Sequence, residues 1–445
     1  MMKTTSMIFH NRGVGLVEVL VGLVIGLITM IVIMQVASVF EGQKRAITSG
    51  ADAQTNGALA LYSIEREVRS AGNGMTESVP YEYTVLAGCP TRVYDTSSYL
   101  VPSATPPFAS TVVPGGKTSD IRFAPVIVSD GGGGAPDALT IIYGSSAITA
   151  PYLLTEPAFT PGDPTISLST ASGIRVGDMV ALVDRDLIAS PRPPFGNNYI
   201  VPTTCSLMQA TGLPSRGVVA TAAGRYNTAN GLPAYSTNDG QLFNLGRVNI
   251  VTYRIADNNL VADITQFGAI PDGTAAGQAI VNRTSFSPIA PNIVNMQVQY
   301  GVDTGNAMGT VQANCKTSGP VAPLTASEAD AVVDSWVNAT GTWANDGGTK
   351  PSIFDLRRIR AVRIGLVARA GIKASGKADD PCNTTAAPVI AWGDGTTMQP
   401  DLTSDPDWQC YRYKVFQVTI PIRNALWSSN MNPASSATCG LRDPG

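Results

Sequence analysis

Residues 14–40 are apolar almost throughout and carry a single charged residue, Glu18. As a helix this run would be roughly 40 Å long, enough to cross a bilayer. Lys3, His10 and Arg12 precede it, which favours a cytoplasmic N-terminus. Lys44 and Arg45 follow it, beside Glu41, and oppose that bias. A carboxylate inside such a segment costs about 2.5–3.5 kcal/mol at the helix centre, less near its end, and generally marks function. Gly22 and Gly26 stand four apart, a spacing that lets two membrane helices approach closely but is weak on its own.

The helical pattern continues past Phe40. Ile47, Ala51, Ala58, Leu61, Ile64, Val68 and Ala71 fall at spacings of three, four and seven and predict one apolar stripe, with Asp52, Asn56, Glu65, Arg66 and Arg69 off it. Glu65 and Arg69 are placed for an i, i+4 pair. Gly72 is the expected C-terminal cap, and Gly50 and Gly57 weaken the middle by roughly 1 kcal/mol each. One helix from Val14 to about Ala71 would span about 87 Å.

From about residue 73 the period changes to two. In 293–300, Val294, Met296, Val298 and Tyr300 alternate with Asn295, Gln297 and Gln299, which predicts a half-buried strand. In 413–424, Phe416, Val418, Ile420 and Ile422 share one face. Further strands are expected in 138–143, 177–184, 247–255 and 359–369. The Pro/Gly/Ser-rich stretches 101–118, 129–137, 186–205, 223–241 and 303–350 read as surface loops or insertions. The fold class is therefore α+β: a long N-terminal helix, then a β-rich domain with long loop insertions.

Composition supports this. The chain has 445 residues with 44 Gly, 31 Pro, 14% charged residues and net charge −3, which argues against a long-helix bundle and against nucleic acid as the main partner. The six cysteines, Cys89, Cys205, Cys315, Cys382, Cys410 and Cys439, form no C-x-x-C pair, so a zinc site has little support. All lie beyond the apolar segment, and an exported domain would hold them as disulfides; fifteen complete pairings are possible, and buried free thiols are the alternative. The single histidine, His10, excludes histidine triads and H-E-x-x-H sites from everything downstream of it. No P-loop or nucleophile elbow is present. Neither catalysis, a metal nor a cofactor is expected. The segments 129–137 and 343–349 miss the calcium-loop spacing and read as flexible turns. Arg357, Arg358, Arg360, Arg363 and Arg369 could form a basic patch for DNA or another polyanion, or a solvated strand face, or a protein interface.

Three readings of the N-terminus compete. A secretory signal has a shorter apolar core and a small-residue cleavage site; a plain anchor leaves Glu18 without a purpose. The third is cleavage ahead of the apolar segment, because "RGVGLVEVL" (12–20) resembles the signature of type IV prepilins. That resemblance implies a prepilin-peptidase cut after Gly13, methylation of a new N-terminal Val14, and an assembly role for Glu18, fifth in the mature chain. The family's usual first residue is phenylalanine, from which Val14 departs. A neighbour's Glu18 would pair with the Val14 amine and set subunit register; such a pair specifies arrangement more than it stabilises. Gly22 and Gly26 would serve helix packing in a filament core.

The segments 50–72, 177–184, 295–304, 359–369 and 415–424 resemble, in this order, the PilW branch of minor pilins. The resemblance implies a leader (1–13), a transmembrane and filament-core helix (14–40), its amphipathic continuation (41–72) and a periplasmic globular domain (73–445). It implies a protein of the inner membrane of a Gram-negative bacterium, single-pass, that passes into the pilus, with a place at the tip. The implied partners are other minor pilins, the major pilin, the prepilin peptidase and the inner-membrane assembly platform. A J-type pseudopilin of a type II secretion system, and a tip adhesin, are the alternatives.

Overall fold

The computed structural model describes residues 15–75, 86, 90–94, 118–122, 124–148, 152–155, 163–183, 187–188, 199–200, 205–222, 226–227, 241–268, 282–303, 332–345, 351, 353–373, 382 and 388–424. Helix α1 (Leu16–Ser70) opens the chain. There follow β1 (Pro90–Tyr94), β2 (Thr118–Arg122), β3 (Val126–Ser129), β4 (Ala138–Gly144), β5 (Tyr152–Leu153), β6 (Thr165–Ser167), β7 (Met179–Val183) and β8 (Leu187–Ile188). Next come β9 (Tyr199–Ile200), β10 (Cys205–Gln209), β11 (Gly212–Ser215), β12 (Val218–Ala220), β13 (Gln241–Gly246), β14 (Val248–Ala256), β15 (Asn259–Phe267) and β16 (Asn282–Pro291). The chain closes with β17 (Ile293–Val302), β18 (Ser335–Val337), α2 (Ile353–Arg358), β19 (Ile359–Arg369), β20 (Ile390–Ala391), β21 (Thr397–Met398) and β22 (Tyr413–Pro421). The fold is α+β, as expected.

Two sheets pack against the second half of α1. One has the order β16-β15-β14-β4-β3, the other β18-β17-β19-β22. Between them lies a core of Ile64, Val68, Leu139, Ile141, Ile250, Met296, Val298, Tyr300, Ile364, Leu366 and Ile420. The β14–β15 hairpin turns on Asp257 and Asn258, both at positive φ, as tight hairpins require.

β4 and β14 are hydrogen-bonded neighbours, Gly144 opposite Val248, yet about a hundred residues separate them in sequence. That insertion carries a second lobe. Its strands β10, β7 and β13 turn Met179, Ala181, Val183, Leu207 and Phe243 toward the main core. Their other face, with Val180, Leu182, Met208 and Leu242, closes on Ile166, Leu168 and Val219 of the small β11-β12-β6 sheet. Burial on both faces explains why β10 and β13 escaped the period-two reading: alternation marks strands with one wet face.

Four expectations need correction. The stretches 186–205 and 303–350 are not purely loops; β8, β9 and β18 fall within them. α1 ends with Ala71, not Gly72, as its C-cap, the Ala71 N–H bonding the Val68 carbonyl. Ala71 (φ −53, ψ 133) and Gly72 (φ 75) are the central residues of a type II turn, closed by the Asn73 N–H on the Ser70 carbonyl at 3.2 Å; glycine is needed at its third position. β17 is not half-buried. Its polar side chains Asn295, Gln297 and Gln299 are buried as well, because the 130–137 turn and the segment after β20 cover that face. Val294 leaves the face of Met296 through a bulge in the β17–β19 register between Ile293 and Asn295, and it packs with Val367, Ile390 and Trp392.

Candidate assembly helix and its attachment

The first half of α1, Leu16–Glu41, has mean hydropathy 2.8 and none of it is buried. Leu16 is 79% and Phe40 66% exposed. Its two hydroxyls are met internally: Thr29 donates to the Ile25 carbonyl (2.8 Å) and Ser38 to the Gln35 carbonyl (2.8 Å). Internal satisfaction of this kind is what a lipid or other dry environment demands. Glu18 lies in the first turn, where the helix dipole favours negative charge. Gly15, extended at φ −68 and ψ 143, precedes it with no side-chain cap, so the leading N–H groups of this helix lack a side-chain acceptor. A Cβ at Gly22 or Gly26 would meet nothing within 4 Å; the smooth face they make is open along the whole segment. Gly13 and Val14 lie outside the described residues.

The second half of α1 is fixed to the domain, but not by the predicted stripe. Ile64, Val68 and Ala71 are buried as expected, whereas Ile47 is 73% exposed and Ala51 and Ala58 are exposed. The buried line is Ser49, Ala53, Gly57, Ala60, Ile64, Val68 and Ala71. Sequence reasoning sought bulky apolar residues and missed that the contact uses small ones. The reason is Phe416 of β22: a Cβ on Gly57 would lie 2.1 Å from its ring. Gly57 thus admits an aromatic ring against the helix backbone rather than weakening the helix without return. The signal was legible in part, since Ala53, Gly57 and Ala60 are small residues at helical spacing.

Polar contacts complete the attachment. The Tyr143 hydroxyl donates to Glu67 Oε2 (2.6 Å), and burial beside that carboxylate pushes the phenol well above its ordinary range. The Tyr253 hydroxyl donates to the Ser63 carbonyl (3.3 Å), Lys414 Nζ to Gln54 Oε1 (2.9 Å), and Asn424 Nδ2 to the Ala71 carbonyl (2.8 Å). Arg69 pairs with Glu65 as predicted.

The arginines form no free basic patch. Arg360 pairs with the fully buried Asp303 at 3.3 Å, and Arg358 Nε donates to the Asp303 carbonyl at 2.8 Å. Arg363, 2% exposed, lies between Trp336 and Trp392 at 4.9 and 4.6 Å from their ring centroids. It donates to Asp394 Oδ2 and Thr396 Oγ1 (2.6 Å each) and to Gln299 Oε1. With Thr396 the same arginine holds the Asp394 carboxyl down at about 2. Arg369 pairs with Asp405 (2.6 Å) over the Tyr411 ring. The side chain of Arg357 lies outside the description. These residues hold the four-stranded sheet to the segments that cover it.

The 129–137 segment is a packed turn rather than a flexible one. Gly132, Gly133 and Gly134 all have positive φ, and the Gly134 carbonyl accepts from Asn295 Nδ2 (2.9 Å) and the Asp401 N–H (2.7 Å). Asp137, 3% exposed, accepts from the Gly131 N–H (2.9 Å) and the Val298 N–H (2.7 Å); burial pushes its carboxyl up to about 7 despite both donors. Of 343–349, only Trp343–Asn345 are described. Among the described residues no cluster of three or more His, Cys, Asp or Glu could hold a metal ion. Cys382 is bonded to Cys410 and Cys205 is also oxidised. Cys89, Cys315 and Cys439 lie outside the described residues.

Residues 273–424 match the family model described as type IV pilus-assembly protein W, PilW. This stretch, about a third of the chain, is similar to that family. The match takes in β16 to β22 and the turn to Asn424 that ties the last strand to the end of α1. It does not extend to the N-terminal signature, nor to the earlier segments of the resemblance. No curated protein matches the chain. A solved structure, the type IV-like pilin TTHA1219 from Thermus thermophilus, aligns over 41% of this chain and 68% of its own at 12% identity and TM-score 0.17, too low a score to carry weight. The chain thus carries a PilW-like segment on a β domain that holds the second half of a long helix, whose first half is unburied among the described residues.

Proposed function

We propose that this chain is a minor pilin that primes and joins type IV pilus assembly, with other pilins as partners. The observation that carries this reading is the division of α1. Among the described residues its 26-residue apolar first half is unburied, while its second half is locked to the PilW-like segment through Gly57, Phe416 and Asn424. Such a helix can sit in the inner membrane and later lie among the helices of neighbouring subunits, carrying its domain outside. In this reading the leader is cut after Gly13, Val14 becomes the methylated N-terminus, and Glu18 meets a neighbour's amine. Gly22 and Gly26 let helices close. The role is assembly rather than catalysis, and a place at the pilus tip follows from the priming role. A J-type secretion pseudopilin would share the N-terminus; the PilW match favours the pilus.

Mass spectrometry of the mature chain from its host tests this directly: a first residue of N-methylated Val14 is expected, and a chain that retains Met1 or starts beyond Phe40 refutes it. Replacing Glu18 with Ala should leave insertion and cleavage intact while removing most of the protein from sheared filaments. Wild-type incorporation of that variant would refute the register role.

A further inference from the structure

The β18-β17-β19-β22 sheet ends on β22. The Ile422 N–H bonds to the Arg360 carbonyl and the Ala370 N–H to the Arg412 carbonyl, both at 2.8 Å. These bonds fix the parity of the antiparallel ladder. Lys414, Phe416, Val418 and Ile420 turn their backbone groups to β19, so Val415, Gln417 and Thr419 turn theirs outward. Among the described residues nothing pairs with those outward groups. Proteins blunt open edges with proline and lysine, and here Pro421 and Lys414 stand only at the two ends. Among the described residues the middle, Val415–Thr419, is an unpaired ladder.

A second feature borders this edge. Lys414 holds Gln54, so the Gln54 side of α1 lies beside β22. At roughly 100° per residue, Ile47, Ala51, Ala58 and Leu61 fall on that same side. Of these apolar positions, which the sequence pattern picked out, the domain leaves Ile47, Ala51 and Ala58 exposed, while Leu61 packs partly against the main core. α1 therefore has two apolar stripes, one spent on its own sheets and one forming a wall next to an open strand. An open ladder beside an apolar wall fits an extended segment whose alternate side chains are apolar.

We propose that a strand from a different pilus subunit completes this sheet at β22, by edge pairing along Val415–Thr419. A second copy of this chain does not fit. β22 and α1 run in the same direction, since Gln54 meets Lys414 and Ala71 meets Asn424. Self-pairing of two β22 edges would be antiparallel about a two-fold axis, and would point the two apolar helix halves in opposite directions. The inference rests on the pilin reading for the identity of the partner. The wall continues along α1 into its bare first half, where that reading places neighbouring subunits.

Amide hydrogen exchange on the full-length chain in detergent, alone and in the complex co-purified from its host, tests the proposal. The amides of Phe416, Val418 and Ile420 should be protected in both samples. Those of Val415, Gln417 and Thr419 should exchange freely in the isolated chain and slow by at least tenfold in the complex. Gln417→Pro, which removes an outward N–H where an edge tolerates proline, should lower partner recovery roughly tenfold, one ladder bond being of that order. Gln417→Ala should not lower it, because recognition uses the backbone. A complex that contains pilins but leaves these amides exchanging overturns the edge proposal and spares the pilin reading. Protection by a protein that is not a pilin keeps the edge and overturns the identity of its partner. Protection already present in the isolated chain, or recovery of the chain without any partner, overturns the proposal.

Discussion

Asp137 gives the sharpest quantitative test of how the domain is held together. Its carboxylate is buried, and each oxygen accepts one backbone N–H: Oδ1 from Gly131 and Oδ2 from Val298. Two charge-assisted bonds are worth about 1.5–3 kcal/mol each, while removing a carboxylate from water costs several kcal/mol. Burial wins, and the group titrates at about 7, against roughly 3.9 for a free aspartate. Between those values the folded chain keeps its proton while the unfolded chain has lost it. The unfolded state therefore binds fewer protons, and folding stability must fall as pH rises through this window. At about 1.4 kcal/mol per unit, the loss from this residue totals on the order of 4 kcal/mol between pH 4 and 7.

The Asp137→Asn variant keeps the shape and removes the titration. Urea unfolding of wild type and variant in mild detergent, followed by tryptophan fluorescence from pH 4 to 8, isolates this residue from every other titrating group. Wild type should lose stability relative to the variant as pH rises, by a few kcal/mol in total, with the change centred between pH 4 and 7. A flat difference would show that water reaches the turn. A difference of the opposite sign would show that the two N–H donors outweigh burial, and the account of this site would be wrong.

Gly50→Ala and Gly57→Ala gain the same helix propensity, about 1 kcal/mol, but a Cβ meets nothing at Gly50 and the Phe416 ring at Gly57. The first should stabilise the chain and the second lose about 1–2 kcal/mol through overpacking; chemical denaturation showing equal signs would refute the close contact. Arg363→Ala should cost about 2–3 kcal/mol by emptying the space between Trp336 and Trp392 and orphaning Gln299, and Arg363→Lys should recover little, since lysine has no planar fork. An unchanged unfolding midpoint and unchanged tryptophan emission would count against the stack. Replacing both Cys382 and Cys410 with serine opens a closure across 28 residues and should cost about 3–4 kcal/mol on the chain-entropy view; a midpoint equal to that of the bonded protein would refute a stabilising role.

The sequence was legible where one physical demand acted on it. The first half of α1 must be apolar all round, and it reads so. β19, expected over 359–369, occupies those positions, and β22 alternates as expected. Legibility failed where two demands met. Asn295, Gln297 and Gln299 look like a wet strand face, yet they are buried: Asn295 and Gln297 hydrogen-bond a turn from 130–137, and Gln299 donates to Asn338 and accepts from Arg363, all distant in sequence. The arginines of 358–369 look like a basic surface, yet each described one finds an internal acceptor supplied by Asp303, Asp394 or Asp405. Long-range pairing of this kind leaves no periodic trace. In the same way β10 and β13, dry on both faces, offered no alternation to read.

The misplaced stripe on α1 carries the most meaning. A helix that packed only on its own domain would need one apolar face. This one has the small-residue face that closes on Phe416, and beside it Ile47, Ala51 and Ala58, which its own domain leaves bare. Exposed apolar positions on an attached helix cost solubility unless another surface covers them. Among the described residues they lie next to an unpaired strand edge, and the same helix runs on into an apolar segment none of which is buried. The attachments at Gly57, Glu67 and Ala71 fix the angle at which the domain is held to that segment. A neighbour packed along the bare helix, as proposed, would thereby be steered toward the open edge. Among the described residues the physical logic of the chain is thus one of incompleteness at two levels, along the helix and at the end of the sheet.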